Sequence, residues 1–150
     1  MFNVLNRISL RILNVFYRWE LTAGPNTIFL GRIRYYNPKN ITIGSNCSIN
    51  PGVFLNVSSK LLIGSNVTIS ANAFITTVGL DLSHYPAKVH FSRDVIIEDD
   101  VWIGAGSVVM PGVTLRRGSI IGAGSIVTRS TDEFCVYAGN PAKKIRRVRG

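Results

Sequence analysis

The sequence predicts an all-β solenoid: a three-sided parallel coil with an amphipathic helix before it and a short basic tail after it. Two observations carry the prediction. Ile97, Ile103, Val109, Leu115, Ile121 and Val127 stand six residues apart without interruption, and Ile43, Ile49, Leu55, Ile63, Ile69 and Ile75 repeat the spacing upstream with one two-residue slip. Gly, Asn and Ser recur between them, where a chain that turns after every short strand needs unusual backbone angles. A period of six fits neither the 3.6-residue repeat of a helix nor the alternation of a long flat strand. It fits a short strand and a turn, three such units closing one triangular coil. Coils stacked at about 4.8 Å bond each strand to those above and below. An ordinary β-sandwich of short strands is the competing reading.

The elements follow in order. Residues 2–19 alternate as an amphipathic helix within a cap of residues 1–24, with Leu5, Ile8, Ile12, Val15, Phe16 and Trp19 on one side and Asn3, Arg7, Arg11, Asn14 and Arg18 on another; Gly24 and Pro25 end it. Such a helix either covers the open end of the first coil or attaches the chain peripherally to an anionic lipid surface through its arginines. Residues 25–132 form the coil, with Val101, Ser107, Val113, Ser119 and Ser125 filling the small or modest position four residues after the five anchors from Ile97 to Ile121. The register fails over residues 76–96, TTVGLDLSHYPAKVHFSRDVI, an excursion holding both histidines of the chain, His84 and His90, with Asp81 nearby. Long loops on rigid scaffolds often carry function. Residues 133–150 end the chain in a tail containing Lys143, Lys144, Arg146, Arg147 and Arg149.

Composition narrows the classes of function. At 150 residues, 46% hydrophobic and 17% charged, the chain is one folded domain. A net charge of +9 favours an anionic partner, yet no zinc-finger spacing, recognition helix or aromatic RNA-binding motif accompanies it, which argues against nucleic acid. No apolar run approaches the roughly 20 residues of a spanning helix, and Arg7 and Arg11 interrupt the first hydrophobic stretch, unlike a signal peptide. Cys47 and Cys135 lie in no metal or redox spacing, so free thiols in a reducing, cytoplasmic setting are expected. Cys47 takes a small position of its repeat and reads as inert core. Glu98, Asp99 and Asp100 read as a solvated turn, with no metal expected there.

The run VWIGAGSVVMPGVTLRRGSIIGAGSIVTRS, followed by YAGNPAKKI, resembles the hexapeptide-repeat acyltransferases, in particular the sugar O-acetyltransferases, and the resemblance extends over roughly residues 25 to 148. It implies a left-handed β-helix, a homotrimer whose active sites lie between subunits, and acetyl-coenzyme A as acyl donor without a metal. By resemblance, main-chain groups at Ala105 and Ala123 contact the pantetheine arm, Thr128 and Arg129 follow in the family's Thr-Lys slot, and Lys143 and Arg146 lie near the phosphates. A histidine general base takes the proton of the acceptor hydroxyl as it attacks the thioester. The family's histidine usually follows the glycine of a Thr-x-Gly segment, but Leu80 follows Gly79 here, so His84, with Asp81 to orient it, is the first candidate and His90 the second. Trp102 reads as lining the cleft or a subunit contact, and Asn50 as an acceptor contact or a corner residue. The expected activity is acetylation of a sugar hydroxyl, in assembly of a surface polysaccharide or glycoconjugate. The alternatives are N-acetylation of an amino-sugar nucleotide, acetylation of an antibiotic or serine-like molecule, and a noncatalytic β-helical scaffold. A zinc carbonic anhydrase on a similar helix needs three histidines per site, and this chain has two.

Overall fold

The computed structural model describes residues 4–148, with side chains from Ser9 onward. The expectations placed on Asn3, Leu5, Arg7, Ile8 and Arg149 lie outside what it describes. Helix α1 spans Val4–Glu20. The chain then coils through β1 Ile28–Phe29, β2 Arg34–Tyr35, β3 Ile41–Ile43, β4 Ser48–Ile49, β5 Phe54–Asn56, β6 Leu61–Ile63, β7 Thr68–Ile69 and β8 Phe74–Thr76. After the excursion, β9 Val78–Asp81 and β10 Val89–Ser92, it resumes as β11 Val95–Ile97, β12 Trp102–Ile103, β13 Val108–Val109, β14 Thr114–Leu115, β15 Ile120–Ile121 and β16 Ile126–Val127, and it closes with β17 Cys135–Gly139 and β18 Ala142–Arg147.

Three sheets form the walls. The first runs β3-β6-β11-β14, the second β1-β4-β7-β12-β15-β17-β18 and the third β2-β5-β8-β13-β16. Pairing within them is parallel except at β17–β18, so each turn of the chain contributes one strand to each wall. The register stacks like on like: Ile49 beside Ile69, Ile69 beside Ile103, Ile103 beside Ile121, and Leu55, Ile75, Val109 and Val127 likewise on the third wall. All twelve period-six anchors are at most 4% exposed. Each buried aliphatic of this kind contributes about 1.5–3 kcal/mol, which makes the interior stack the main source of rigidity. The small positions are interior too, and Ser107 satisfies its hydroxyl by donating to the Gly104 carbonyl at 2.6 Å.

Corner chemistry explains the polar residues between anchors. Asn46, Asn66 and Asp100 occupy the same corner in successive coils with φ of 57°, 59° and 62°, the left-handed region that Asn and Asp tolerate best. The carboxylates of the Glu98–Asp100 turn are engaged there: Arg116 donates to Glu98 at 3.0 Å, Arg117 Nη2 and Ser65 N–H donate to Asp99 at 3.0 and 2.8 Å, and Asn66 donates to Asp100 at 3.0 Å. These bonds run from coil to coil. Asp99 is consequently held below the usual carboxylate range, first by the Ser65 N–H and then by Arg117. The two-residue slip is absorbed at another corner, where the Thr77 hydroxyl accepts from Ser58 and Ser59 N–H at 2.8 and 3.1 Å.

Helix α1 covers the first coil with the face opposite to Ile12, Val15, Phe16 and Trp19. Asn14 completes the edge of β1 as a neighbouring strand would, accepting from Phe29 N–H at 2.6 Å and donating to the Phe29 carbonyl at 2.7 Å. The Tyr17 hydroxyl accepts from Ile33 N–H at 3.2 Å, Leu21 is fully buried, and Leu13 packs against the core. Ile12, Val15, Phe16 and Trp19 point away from the coil. The covering role is therefore filled by Leu13, Asn14, Tyr17 and Leu21, and Ile12, Val15, Phe16 and Trp19 take no part in it. At the other end, β17 adds one more parallel rung beside β15, past residue 132, and β18 folds back antiparallel on it.

Candidate active site

The excursion is ordered by its own backbone. β8 keeps Thr76 and β11 begins at Val95, and between them β9 and β10 pair antiparallel, Asp81 opposite Val89 and Leu80 opposite His90. A single 3₁₀ turn, Leu82–His84, forms the tip. Asp81 caps that turn: its Oδ1 accepts from Ser83 N–H at 2.9 Å and from the Ser83 hydroxyl at 2.7 Å. His84 Nδ1 lies 3.2 Å from Asp81 Oδ2 and 3.0 Å from Ser83 Oγ. The Ser83 hydroxyl, the Ser83 N–H and His84 together hold the Asp81 carboxyl below its usual range, aided by the charge of Arg93. A carboxylate bound at Nδ1 selects the tautomer with its proton there and leaves the Nε2 lone pair free to accept one. The His84 side chain is 62% exposed, open to an approaching hydroxyl. His90 sits across the hairpin from Leu80 and is also exposed, without a hydrogen-bonded carboxylate among the described residues. Ser83 is the residue the sequence reading passed over; the Asp-x-Ser spacing of an Asx turn was its signal.

The other candidates fall on two further parts of the coil. Ala105 and Ala123 stack at the corner between the second and third walls, both exposed, with Gly124 N–H donating to the Ala105 carbonyl at 2.8 Å. Space there is tight on the inner side and open on the outer. A Cβ on Gly104 would lie 2.5 Å from Ala123 N and 2.6 Å from the Ile121 carbonyl oxygen, whereas one on Gly106, at φ 64°, would meet nothing within 4 Å. Asn50 lies at the same corner and donates its amide to the Ile69 carbonyl at 3.0 Å. Trp102 stands on the outer surface of the second wall, its indole N–H donating to Ser70 at 3.1 Å. Lys143 and Arg146 are exposed on β18 at the end of that wall, and Lys144 beside them pairs with Asp132 at 2.9 Å. Thr128 and Arg129 follow β16, at the corner between the third and first walls from which the hairpin departs two coils earlier. Cys47 is buried, and burial pushes its thiol pKa up; Cys135 is buried and also free.

Within one chain, the histidine hairpin and the alanine corner occupy opposite edges of the third wall. At about 3.3 Å per residue, that wall separates them by roughly 15 Å.

Comparison with known proteins identifies the repeat. Residues 94–129 match the family model described as bacterial transferase hexapeptide (six repeats). Residues 94–129 thus carry the hexapeptide repeat of that family. It is 34% identical over 129 residues to the galactoside O-acetyltransferase of Escherichia coli, covering 85% of this chain and 64% of that protein. It is 29% identical over 143 residues to a putative colanic acid biosynthesis acetyltransferase of the same organism, covering 88% and 76%. Among solved structures it is similar to a hexapeptide-repeat acetyltransferase of Vibrio cholerae complexed with acetyl coenzyme A, with a TM-score of 0.84 and 26% identity over 91% of this chain and 76% of that one. The chain spans about half to two thirds of the length of the first curated relatives it matches.

Proposed function

We propose that this hexapeptide-repeat protein is an acetyl-coenzyme A dependent O-acetyltransferase acting on a sugar hydroxyl, in assembly of a surface polysaccharide or related glycoconjugate. The observation that carries the reading is the Asp81–His84 pair at the tip of a hairpin projecting from a rigid β-helix. The similarity to galactoside and colanic acid acetyltransferases supports the sugar acceptor, and the acetyl coenzyme A complex of the Vibrio cholerae protein supports the donor.

In the proposed step, the acceptor oxygen attacks the thioester carbonyl carbon while His84 Nε2 takes the hydroxyl proton, and Asp81 offsets the charge of the resulting imidazolium. Main-chain N–H groups stabilise the oxyanion. When the C–S bond breaks, the departing thiolate recovers the proton from His84, so no acyl-enzyme forms and the base is restored. The Ala105–Ala123 corner takes the pantetheine arm because small side chains leave its backbone accessible. Lys143 and Arg146 take the phosphates, and Thr128 and Arg129 line the hairpin side.

Since hairpin and alanine corner lie on opposite edges of one wall, each site is built from two copies: the hairpin of one chain set against the corner of the next in a homotrimer. Release of coenzyme A thiol in the presence of a panel of sugars tests the activity. Thiol release that depends on a sugar hydroxyl supports the reading. Binding of no acyl-coenzyme A and no turnover with any acceptor would replace it by a noncatalytic scaffold.

A further inference from the structure

The outward face of α1 is apolar and bordered by arginines. Trp19 is 82% exposed, Val15 72%, Ile12 67% and Phe16 48%, and together with Arg11 they line one shallow, open hollow. The opposite face of the same helix already covers the coil through Leu13, Asn14, Tyr17 and Leu21. Among the described residues the outward stripe therefore has no internal partner. An exposed contiguous patch of large apolar side chains marks an interaction surface.

Charge identifies the partner. Arg11 and Arg18 edge the stripe, both exposed. The only carboxylate in the first eighty residues, Glu20, accepts the Tyr35 hydroxyl on the packed side of the helix. A second copy docking face to face would bring two arginine rows together with no acid to neutralise them. An anionic bilayer complements both features, because acyl chains accept the aliphatic and indole groups while lipid phosphates accept the guanidinium groups. The helix is about 25 Å long and would lie along the surface. No helix among the described residues is long and apolar enough to cross a membrane.

We infer that α1 docks the protein peripherally on an anionic phospholipid surface, with Val15, Phe16 and Trp19 entering the interface and Arg11 and Arg18 at the headgroups. This inference rests on the helix alone and is independent of the acyl-transfer reading.

The test is flotation of the full chain with vesicles of phosphatidylglycerol and phosphatidylcholine in equal amounts, against pure phosphatidylcholine. The wild type is expected to float with the anionic vesicles and not the neutral ones. The double variant Val15→Ser/Trp19→Ser should bind at least tenfold more weakly, and Arg11→Gln and Arg18→Gln roughly fivefold more weakly each, less so at high salt. These side chains are solvent-facing, so an unchanged circular dichroism spectrum checks that the coil is intact. No partition onto anionic vesicles, or partition that the double variant leaves unaltered, would overturn the inference. So would light scattering in which the double variant dissociates a wild-type oligomer that does not bind vesicles, since the stripe would then be a contact between copies.

Discussion

In the wall of the coil, Ile69 lies between Ile49 and Ile103 with no exposure, and its strand bonds to strands on both sides. In the hairpin, the residues from Val78 to Ser92 are all exposed or half-exposed, and β9 and β10 pair only with each other. The wall is held by burial repeated coil after coil. The hairpin is held by local hydrogen bonds, such as those from Ser83 to Asp81, and is free to spend its side chains on chemistry. Stability and activity should therefore separate cleanly between the two regions.

The largest effect is expected in the hairpin. His84→Ala should lower turnover about 10²- to 10⁴-fold with an unchanged thermal midpoint, measured by thiol release and by circular dichroism. His90→Ala should stay within about threefold of wild type, because no carboxylate orients that ring among the described residues. A reversed pair of results would move the base to His90, and two active variants would remove histidine catalysis altogether. In the wall, Ile69→Ala should cost about 2–5 kcal/mol in denaturant unfolding, since the interlocked coil cannot collapse around the void. Gly104→Ala should cost about 1–3 kcal/mol, because its Cβ meets backbone that cannot turn aside.

The smallest effect concerns the coil-to-coil ion pairs. Ionised Asp99 is stabilised in the folded state, so its contribution is complete above the ordinary carboxylate range, near pH 4, and is lost as pH falls through the depressed value. Asp99 is partly exposed and screened, so Asp99→Asn should lower the thermal midpoint by at most about 3 °C at pH 7. The difference should shrink as the pH falls through that depressed value and be lost once Asp99 is protonated. A difference that grows in acid would contradict the assignment.

The two regions also differ in how well the sequence describes them. The anchors from Ile43 to Val127 were readable because burial imposes its period directly on the residue types, and every one of them is interior. The excursion was readable as a break in that period, with Asp81 and His84 close enough in sequence for a local turn to join them. Its pairing was not, because Val78–Asp81 against Val89–Ser92 lacks the alternation of a half-buried strand. Helix α1 carries two usable faces, and the apolar period marks the exposed one where the side chains are described, at Ile12, Val15, Phe16 and Trp19. The buried face relies on Asn14 and Tyr17, polar residues whose role emerges only against the edge of β1. The separation of the histidine hairpin from Ala105 and Ala123 follows from which corner each occupies, which depends on the placement of the slip and the excursion.

That separation is the central claim, and mixing two inactive variants tests it most directly. His84→Ala removes the base, and Ala123→Trp fills the corner meant for the pantetheine arm. Unfolded and refolded together in equal amounts, they should regain about a quarter of wild-type thiol release, from sites pairing an intact hairpin with an intact corner of another copy. A mixture as inactive as either variant alone would mean that hairpin and corner act within the same chain, contradicting a site divided between copies.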